Sequence, residues 1–467
     1  MNSVAIPSTG YEVMSRKWDM LQDLLGGTKT MREAGEKWLP REPGESITKY
    51  DARRNRSVLY NGFSDTLIKL TNKPFSHPLT VKDLPYELIY LLEDVDSAGT
   101  SLESFIQDVL YYLILYGVVH IFVDHSVVEV IANGGVATKA DEDKNGARVL
   151  LICVPASSLI GWQTVIDSKK AKLTQIRMLE SRIESLGEYG DVEQHYVRVV
   201  NTSSWELWRQ DKEEWNQIEN GTHTFGRIPL VTLYADRTGF LTADPPLEDL
   251  AWMNIIHWQS YSDQRNILRL SRFGLLFGKG MPKEMTEQTE LEIGPTRSFF
   301  ANDPNADMKY VEHTGKSIEL GQKDIEDIEQ KMEVLGNLPM VKQPNKLATS
   351  VRIDSDRTSS QLQSWIRSTE RGIVDTLKMA CEWRKIKTPE TLAVDIYSDF
   401  ETAMLGDSDK DFILKTRQAG ELSRETFLRE IKRRGALADS VDVDEELIRL
   451  SNEAQTEIED FIDGDSE

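Results

Sequence analysis

The spacing of apolar residues changes twice along the chain. In residues 1 to about 75, apolar side chains recur three or four positions apart, as an amphipathic helix requires. Trp18, Leu21, Leu24 and Leu25 fall on one face of such a helix. This first region is therefore predicted to be helical, with turns between its helices.

A further helical stretch, residues 101–117, has clear end signals. Ser101 precedes the apolar run and is placed to cap the helix by accepting a hydrogen bond from the backbone of Ser104. Gly117 follows the run, and glycine readily takes the left-handed conformation in which many helices end. The pattern predicts a helix between these two residues.

From about residue 118 to 235 the pattern becomes that of short strands. Apolar and polar positions alternate in part, and turn residues separate the segments. IENGTH, residues 218–223, is predicted as a turn, and residues 133–148 are predicted as a polar loop. The strand candidates are VVHIFVDH, ARVLLICVP, KLTQIRMLESRIE, EQHYVRVVNTS, SWELWRQ and IPLVTLYAD. Helices followed by strands predict an α+β fold.

Two long helices flank an irregular segment in the second half of the chain. Residues 245–272 form the first and begin with two prolines, which are favoured where helices start. Residues 319–336 form the second, and 275–317 between them contain scattered glycine and proline. The apolar seam of the second helix is Ile325, Ile328, Met332 and Leu335. This arrangement predicts an antiparallel helix pair around an insertion.

The remainder is predicted to be a loop followed by helices. Residues 337–355 contain two prolines and read as the loop, and 356–386 read as a third long helix. The last 60 or so residues are helical and polar in pattern. From residue 439 to 467 there are twelve acids and one arginine, a net charge of −11.

Length and cysteine content narrow the class of protein. A chain of 467 residues with 39% hydrophobic residues is expected to form about two to four packed units. It has no apolar run of 18 residues, so no membrane span is expected. The N-terminal stretch lacks the pattern of a signal peptide. Cys153 and Cys381 are far apart, which excludes a disulfide framework or a cysteine zinc site.

The net charge of the protein restricts how it could interact with DNA. The net charge is −22, whereas a protein that grips DNA tightly is expected to be basic because its affinity comes from neutralising phosphates. An acidic surface suits either a protein unrelated to DNA or a channel through which DNA slides. Composition alone leaves both open.

Motifs of catalysis and nucleotide binding are incomplete. HTGKS, residues 313–317, resembles the end of a phosphate-binding loop, but Tyr310 stands where the first glycine is required. DSDKDF from residue 407 has the alternating acids of a calcium loop, but Phe412 and Gln418 replace its glycine and glutamate, so a solvated turn is predicted. We therefore predict no enzyme activity, no cofactor and no metal.

The histidines give no ligand pattern either. His120 and Asp124 share one face of a predicted strand, and His125 lies on the other. A hydrogen-bonded strand histidine is the simpler interpretation of His120. The other histidines show no metal-ligand spacing.

Three arginines fall on one face near the C-terminus of the first long helix. They are Arg265, Arg269 and Arg272. One interpretation is a favourable interaction with the helix dipole. The other is a basic surface that faces phosphates or a protein partner.

Ordered blocks of sequence, rather than one motif, point to a family. The blocks are WDMLQDLLGGTKTMREAGEKWLPREPGES, YDARRNRSVLYNGFSDTLIKLTNKPF, GVVHIFVDH, VPASSLIGW, RIPLVTLYAD, PPLEDLAWMNIIHWQSYSDQRNIL, YVEHTGKSIEL, GELSRETFLREIKRRGAL and DVDEELIRLSNE. In this order they resemble the portal proteins of tailed bacteriophages, the head-tail connectors, in a branch known as a portal-associated domain of unknown function.

The resemblance implies a portal fold with a helical and β wing, a paired-helix stem, a small clip, a long wing helix and a helical crown. The implied boundaries are 1–244 wing, 245–274 first stem helix, 275–317 clip, 318–336 second stem helix, 337–355 tunnel loop, 356–404 wing helix and return, and 405–467 crown. In the tunnel loop it implies that Lys342, Lys346 and Arg352 face DNA in the channel.

The resemblance also implies a function and a set of partners. The chain would form a homo-oligomeric ring, a dodecamer, at one capsid vertex of the virion, after assembly in the host cytoplasm. Double-stranded DNA would pass through it during packaging and ejection. Partners would be the terminase packaging motor, a head-tail adaptor, the major capsid protein and a scaffolding protein. The alternatives are another virion protein, either minor capsid or adaptor, and an acidic cytoplasmic enzyme.

Overall fold

A computed structural model describes most of the chain. The described residues are 3–125, 148–167, 170–187, 189–212, 214–273, 275–279, 304–311, 315–336, 348–398, 400, 407–433, 437 and 441–451. They divide into two units. The first comprises residues 1–345 and 364–396, and the second comprises 346–363 and 397–467.

The first unit opens with helices, as the apolar spacing predicts. Helices α1 to α5 are Thr9–Leu25, Gly27–Ala34, Ile47–Arg56, Gly62–Asn72 and Leu102–Tyr116. Short 3-10 helices lie at Gly35–Lys37, Lys73–Ser76 and Tyr86–Leu92. Ser101 caps α5 by accepting from the Ser104 N–H, and Gly117 ends it with left-handed backbone, so both predicted end signals of α5 are confirmed.

The strands are antiparallel and form two sheets and two pairs. The strands β1 to β12 are Thr80–Lys82, Val118–His125, Val149–Pro155, Leu159–Asp167, Lys170–Leu186, Gly190–Asn201, Ser204–Asp211, Glu214–Thr222, Leu230–Tyr234, Leu275–Lys279, Asp307–Val311 and Ala393–Asp395. One sheet has the order β3-β2-β9 and the other runs β4 to β8 in sequence. β1 pairs with β12, and β10 pairs with β11.

The predicted turn IENGTH is wrong, because its residues lie in or beside strand β8. Gly221 in this strand sits under the indole of Trp205, and a Cβ there would lie 2.7 Å from the ring nitrogen. The glycine that suggested a turn therefore makes room for a neighbouring side chain. The predicted loop 133–148 lies outside the described residues except for Arg148.

The hydrophobic core of the first unit joins the two sheets. Residues from β2, β3, β4, β5 and β6, together with two residues outside the strands, Ile228 and Leu241, form one buried cluster; the strand residues are Phe122, Val154, Leu159, Ile176, Met178 and Val200. Helix α5 is buried on nearly all sides beside β2 and β3. The mixed helix and antiparallel-sheet architecture agrees with the α+β prediction.

The predicted antiparallel helix pair is present. Helix α6 is Glu248–Phe273 and helix α7 is Lys316–Gly336. Gln264 of α6 donates to the carbonyl of Ile318, whereas His257, two turns earlier, meets Glu329, so the helices run in opposite directions. Between them in sequence, β10 and β11 form a two-stranded antiparallel pair.

The apolar seam of α7 differs from the predicted one at a single position. Ile325, Ile328 and Met332 are buried, but Leu335 is 36% exposed and Glu333 is buried instead. Because α7 contacts α4 as well as α6, its covered face is wider than the seam suggests. The prediction for Leu335 is therefore wrong.

Helix α8, Ala348–Trp383, begins eight residues before the predicted start at residue 356. No proline or glycine follows Pro344 until Gly372, so nothing local stops the helix from starting earlier. Residues 348–355, predicted as loop, are helical. Gly372 lies directly against β9, where a Cβ would come within 2.5 Å of the buried Leu233 Cγ.

The second unit is helical where it is described. Helices α9 and α10 are Asp407–Gln418 and Arg424–Arg433, and residues 443–451 are also helical. The DSDKDF segment forms the first turns of α9, so the solvated turn predicted there is wrong. Its acids fall within a helix rather than in a loop that could wrap an ion.

Candidate functional site: an arginine cleft beside the helix pair

The basic stripe of α6 continues a face that is buried earlier in the same helix. Asn254, Trp258 and Ser262 lie on that face and are each at most 2% exposed. Arg265 and Arg269 follow at spacings of three and four residues, which keeps them on the same side. Both are exposed. The face thus changes from buried to exposed at Arg265.

Helix α3 covers the buried part of this face and adds a second set of basic side chains. The hydroxyls of Ser57, just after α3, and Ser262 lie 2.8 Å apart and are hydrogen-bonded. A cavity of about 190 Å³ opens beside them. It is lined by Arg53, Arg56, Ser57, Ser262, Arg265, Asn266, Leu268 and Arg269. We call this cavity the arginine cleft.

Arg53 at the base of the cleft is buried and is held by several hydrogen bonds. Its guanidinium donates to both carboxylate oxygens of Glu45, at 3.0 and 2.9 Å, and to the Pro40 carbonyl at 2.9 Å. It also lies 3.2 Å from Asp263. The hydrogen bond to Glu45 raises the pKa of Arg53, and the same bond lowers the pKa of Glu45. Arg53 is therefore a structural anchor.

The other arginines of the cleft have no such partners in the part of the chain that the structure describes. No carboxylate in the described part of the chain lies within 4 Å of Arg56, Arg265 or Arg269. Burial lowers the pKa of Arg56, and the positive charge of Arg269 lowers it further. Like charges held together without a counterion are unfavourable. The unpaired arginines therefore give the cleft a positive charge, which would favour a negatively charged group.

The helix dipole does not account for the whole stripe. Its effect falls off within about the last turn of a helix. Arg265 lies eight residues, about two turns, before the end of α6 at Phe273. The dipole interpretation is therefore restricted to the last turn, which contains Arg272, whose side chain lies outside the described residues.

Helices α6 and α7 are fixed to each other by a buried polar contact on a different side of α6. The His257 side chain is 1% exposed, and its Nε2 lies 3.2 Å from a Glu329 oxygen. The rings of Tyr60 and Tyr261 lie 5.2 and 5.7 Å from the imidazole. Burial lowers the pKa of His257, and the Glu329 carboxylate opposes that shift. The imidazole is therefore neutral near pH 7.

Asn254, one turn before Trp258, attaches α6 to helix α4. Its side-chain oxygen accepts from the Phe63 N–H, and its nitrogen donates to the Tyr60 carbonyl, both at 2.9 Å. Asn61 caps α4 independently by accepting from Ser64. These bonds fix where α4 begins relative to α6.

The other predicted basic group cannot be assembled from the described residues. Lys342 and Lys346 lie outside them. Arg352 lies in helix α8 rather than in a loop, and its side chain is also outside the described set. The DNA-facing role of these three residues remains a prediction. HTGKS is described only from Gly315, and Lys316 begins α7.

The predicted role of His120 as a hydrogen-bonded strand residue is confirmed. Its Nδ1 lies 2.9 Å from the Thr232 hydroxyl, and burial lowers its pKa to about 3. Within the described part of the chain, no group of three or more histidine, cysteine or acidic side chains could hold a metal ion. None of the described helices has the length and hydropathy to cross a membrane.

Sequence reasoning missed two features. The first is Arg56, which lines the cleft with Arg269 although the two residues are 213 positions apart in the sequence. The basic run RRNR at residues 53–56 was the local signal that could have indicated it. A cavity of about 860 Å³ lies against the five-stranded sheet, near Trp205 and Trp383. Arg198 in its wall is paired with Glu180 and Asp124, so this charge is already balanced.

One known protein family matches the part of the chain that contains the helix pair. A family described as "Domain of unknown function (DUF4055)" matches residues 246–384. That range contains α6, α7 and α8, and it agrees with the resemblance to a portal-associated domain of unknown function. No curated protein matches the chain significantly.

Two solved structures are similar over most of the chain. One is the neck of an empty GTA particle computed with C6 symmetry, which is 11% identical in sequence. The match covers 88% of this chain and 99% of that chain, and the TM-score is 0.38. The other is the neck of a native GTA particle computed with C12 symmetry, with 10% identity, 87% and 99% coverage, and a TM-score of 0.37. TM-scores below 0.5 do not establish a shared fold.

Proposed function

We propose that this protein is a phage portal: a ring-forming virion subunit, without enzymatic activity, through which double-stranded DNA enters and leaves the capsid. The observation that carries the proposal is the antiparallel pair α6–α7 closed around an inserted segment that contains β10 and β11. This is the arrangement expected of a stem with a clip. The family match begins at residue 246, two residues before α6, and runs through α7.

The remaining parts of the proposal follow from the resemblance. Residues 275–317 would dock the packaging motor and later the tail adaptor, while the wing would contact the capsid and a scaffolding protein. Residues 405–467, which contain helices α9 and α10, would form the crown. An acidic surface is consistent with a channel that DNA traverses without being held.

Electron microscopy and mass measurement test the ring. The chain has a mass of 53.2 kDa, and we expect particles near twelve times that mass with a central channel. A monomer at every protein and salt concentration tried would contradict the proposal. Small oligomers without a channel would favour a minor capsid or adaptor role instead.

The absence of enzymatic activity is tested with the same preparation. We expect no ATP hydrolysis by the purified protein, because Tyr310 replaces the glycine that a phosphate-binding loop requires. Lys316→Ala should therefore behave like the parent. Hydrolysis that disappears in Lys316→Ala would support the enzyme alternative.

A separate proposal concerns the predicted tunnel loop. Replacing Lys342, Lys346 and Arg352 by glutamine should reduce DNA retention in assembled particles, while rings form normally. Each phosphate contact adds a small, salt-screened increment to DNA binding, so a repeated ring of such contacts retains DNA without locking it. Packaged DNA length and ring micrographs are the measurements, and normal packaging with normal rings would remove this role.

A further inference from the structure

Arginines of this acidic chain commonly pair with a nearby carboxylate. The sequence has 77 acidic and 55 basic residues, and Arg54 in α3, for example, lies 3.1 Å from Asp51. The arginine cleft differs. Arg56, Arg265 and Arg269 line one cavity, and no carboxylate of the described ranges lies within 4 Å of them. These three guanidiniums are therefore available to an anion from solution.

The cleft holds these charges together because its two walls are fixed to each other. The end of α3 supplies Arg56, and α6 supplies Arg265 and Arg269. The buried hydroxyls of Ser57 and Ser262 are hydrogen-bonded between the walls. Burial lowers the pKa of Arg56, and the positive charge of Arg269 lowers it further, so the two guanidiniums repel each other. An anion between the walls would relieve this repulsion.

Carboxylates at the base of the cleft do not cancel its charge. Four arginines and no acidic residue line the cavity. Glu45 and Asp263 pair with one of them, Arg53, so two positive charges are left. Glu42 also acts on Arg53, but Arg41 acts on Glu45 with the opposite charge, and these two more distant effects offset each other. Among the described residues, the surroundings of the cleft are therefore net positive.

The volume and the donors of the cleft favour a small anion with several oxygens. Pockets for drug-sized ligands usually have volumes of about 300–1,000 Å³, whereas the cleft has about 190 Å³. A guanidinium binds phosphate through two parallel N–H bonds. A terminal phosphate group offers three acceptor oxygens, whereas a carboxylate offers two, so phosphate can satisfy guanidiniums from both walls. Asn266 in the lining adds an amide donor.

We infer that the arginine cleft binds a phosphate group, held between Arg56 on one wall and Arg265 and Arg269 on the other. This inference goes beyond the proposed function and does not depend on a ring, because the whole lining belongs to the first unit of one copy. Free inorganic phosphates and the backbone of DNA present the same chemistry. The net charge of −22 opposes a polyanion more than a small anion, so the free anion is the first probe.

Titration calorimetry of the full-length protein with inorganic pyrophosphate at low salt tests the site. Arg265→Gln with Arg269→Gln should weaken binding by about tenfold or more, because charge-assisted hydrogen bonds are lost. Arg56→Gln should also weaken binding, although this residue lies on the other wall. Dependence on both walls distinguishes a cleft from a basic stripe along α6 alone.

Controls separate specific binding from general charge effects. Arg16→Gln with Lys82→Gln removes the same charge at exposed positions outside the cleft and should bind pyrophosphate like the parent. Arg265→Lys with Arg269→Lys keeps the charge but loses the paired N–H bonds, so its affinity should be intermediate. Circular dichroism checks folding, and the lysine variant serves as the test if the glutamine variant misfolds. Sulfate should displace pyrophosphate better than chloride does at equal ionic strength.

A short DNA duplex distinguishes the two sources of phosphate. If the duplex competes with pyrophosphate and loses affinity in the same variants, the bound phosphate is that of DNA. Binding of pyrophosphate without binding of the duplex assigns the cleft to a free phosphate. Both results support the inference.

Other results would overturn it. These are no binding of either probe, equal binding by the parent and the cleft variants, an Arg56→Gln variant that binds like the parent, or displacement by chloride as effective as that by sulfate. A parent that binds pyrophosphate but forms no rings would contradict the proposed function and leave this inference standing.

Discussion

Helix α6 presents one continuous face to two different environments. In its first half that face is covered by α3 and α4, and Asn254, Trp258 and Ser262 are buried there. In its second half, beyond the end of α3, the same face carries Arg265 and Arg269 in the open. Where the face is covered, the side chains of Asn254 and Ser262 are hydrogen-bonded within the chain. Where it is uncovered, Arg265 and Arg269 have no carboxylate partner among the described residues.

This difference shows how one helix can serve stability and recognition in turn. A buried polar group must be satisfied locally, because leaving it unpaired has a large free-energy cost. An exposed arginine carries no such requirement, so it can be kept for a partner outside the subunit. Substitutions in the two halves should therefore affect different measurements.

The largest effect is expected at Arg53, which anchors the covered half. Arg53→Ala leaves Glu45, which is 11% exposed, without its counterion. Breaking a buried ion pair in this way costs about 3–5 kcal/mol of unfolding free energy. Chemical denaturation measures the loss, with Lys49→Ala on the exposed side of α3 as the control. A loss below about 1 kcal/mol would show that the pair is not buried in solution.

A smaller loss is expected at Asn254. Asn254→Leu keeps the volume similar but leaves the Phe63 N–H and the Tyr60 carbonyl without their partner. Each unsatisfied buried group costs about 1–3 kcal/mol. Amide hydrogen exchange at Phe63 should accelerate as well. Unchanged exchange at Phe63 would mean that α4 is fixed by the Asn61 cap alone.

The His257 contact predicts a dependence of stability on pH. Because burial lowers its pKa below about 6.5, the unfolded chain binds a proton that the folded chain does not bind as pH falls past that value. The contribution of His257 to stability should therefore decrease below pH 6.5, by at most about 1.4 kcal/mol per pH unit, and the buried His120 adds its own decrease in both proteins compared below.

His257→Gln provides the comparison for this pH effect. Glutamine can still donate to Glu329, but it does not titrate, so the decrease in melting temperature between pH 7 and 5.5 should become shallower. Glu329, Glu333, Tyr60 and Tyr261 also face this position and are retained in both proteins. Identical pH profiles would show that the imidazole is not the titrating group.

The smallest effect on stability is expected for substitutions in the uncovered half of helix α6. Arg265→Gln with Arg269→Gln should change the unfolding free energy by no more than about 0.5 kcal/mol, as for ordinary surface positions. The substitution also removes a like-charged neighbour of Arg56, which acts in the stabilising direction. A loss above about 1 kcal/mol would place these arginines in the fold itself.

Local signals in the sequence predicted the elements that local interactions determine. The cap at Ser101 and the left-handed end at Gly117 determine where α5 begins and ends through interactions with residues close in sequence, and the structure has both. The α6–α7 pair was likewise predictable, because two long apolar periodicities flank a segment rich in turn residues. These features do not require knowledge of distant contacts.

Distant contacts account for what the sequence did not predict. From the sequence alone Gly221 resembles a turn glycine, but in the structure it packs against the indole of Trp205. Leu335 belongs to the apolar seam by spacing, but the packing of α7 on both α6 and α4 buries Glu333 and leaves Leu335 partly exposed. The cleft could not be assembled from spacing either, since Arg56 and Arg269 belong to separate helices.

Gly372 makes one position of helix α8 unusually intolerant of mutation. Glycine inside a helix is normally a weakness, and alanine there would improve helix formation by about 1 kcal/mol. Here the buried Leu233 occupies the space that any β-carbon would need. In a saturation library selected for folded, soluble protein, variants at 372 should be lost, or should survive with a second change to a smaller residue at 233. Genetic suppression of this kind would report the helix–strand contact without any structure determination.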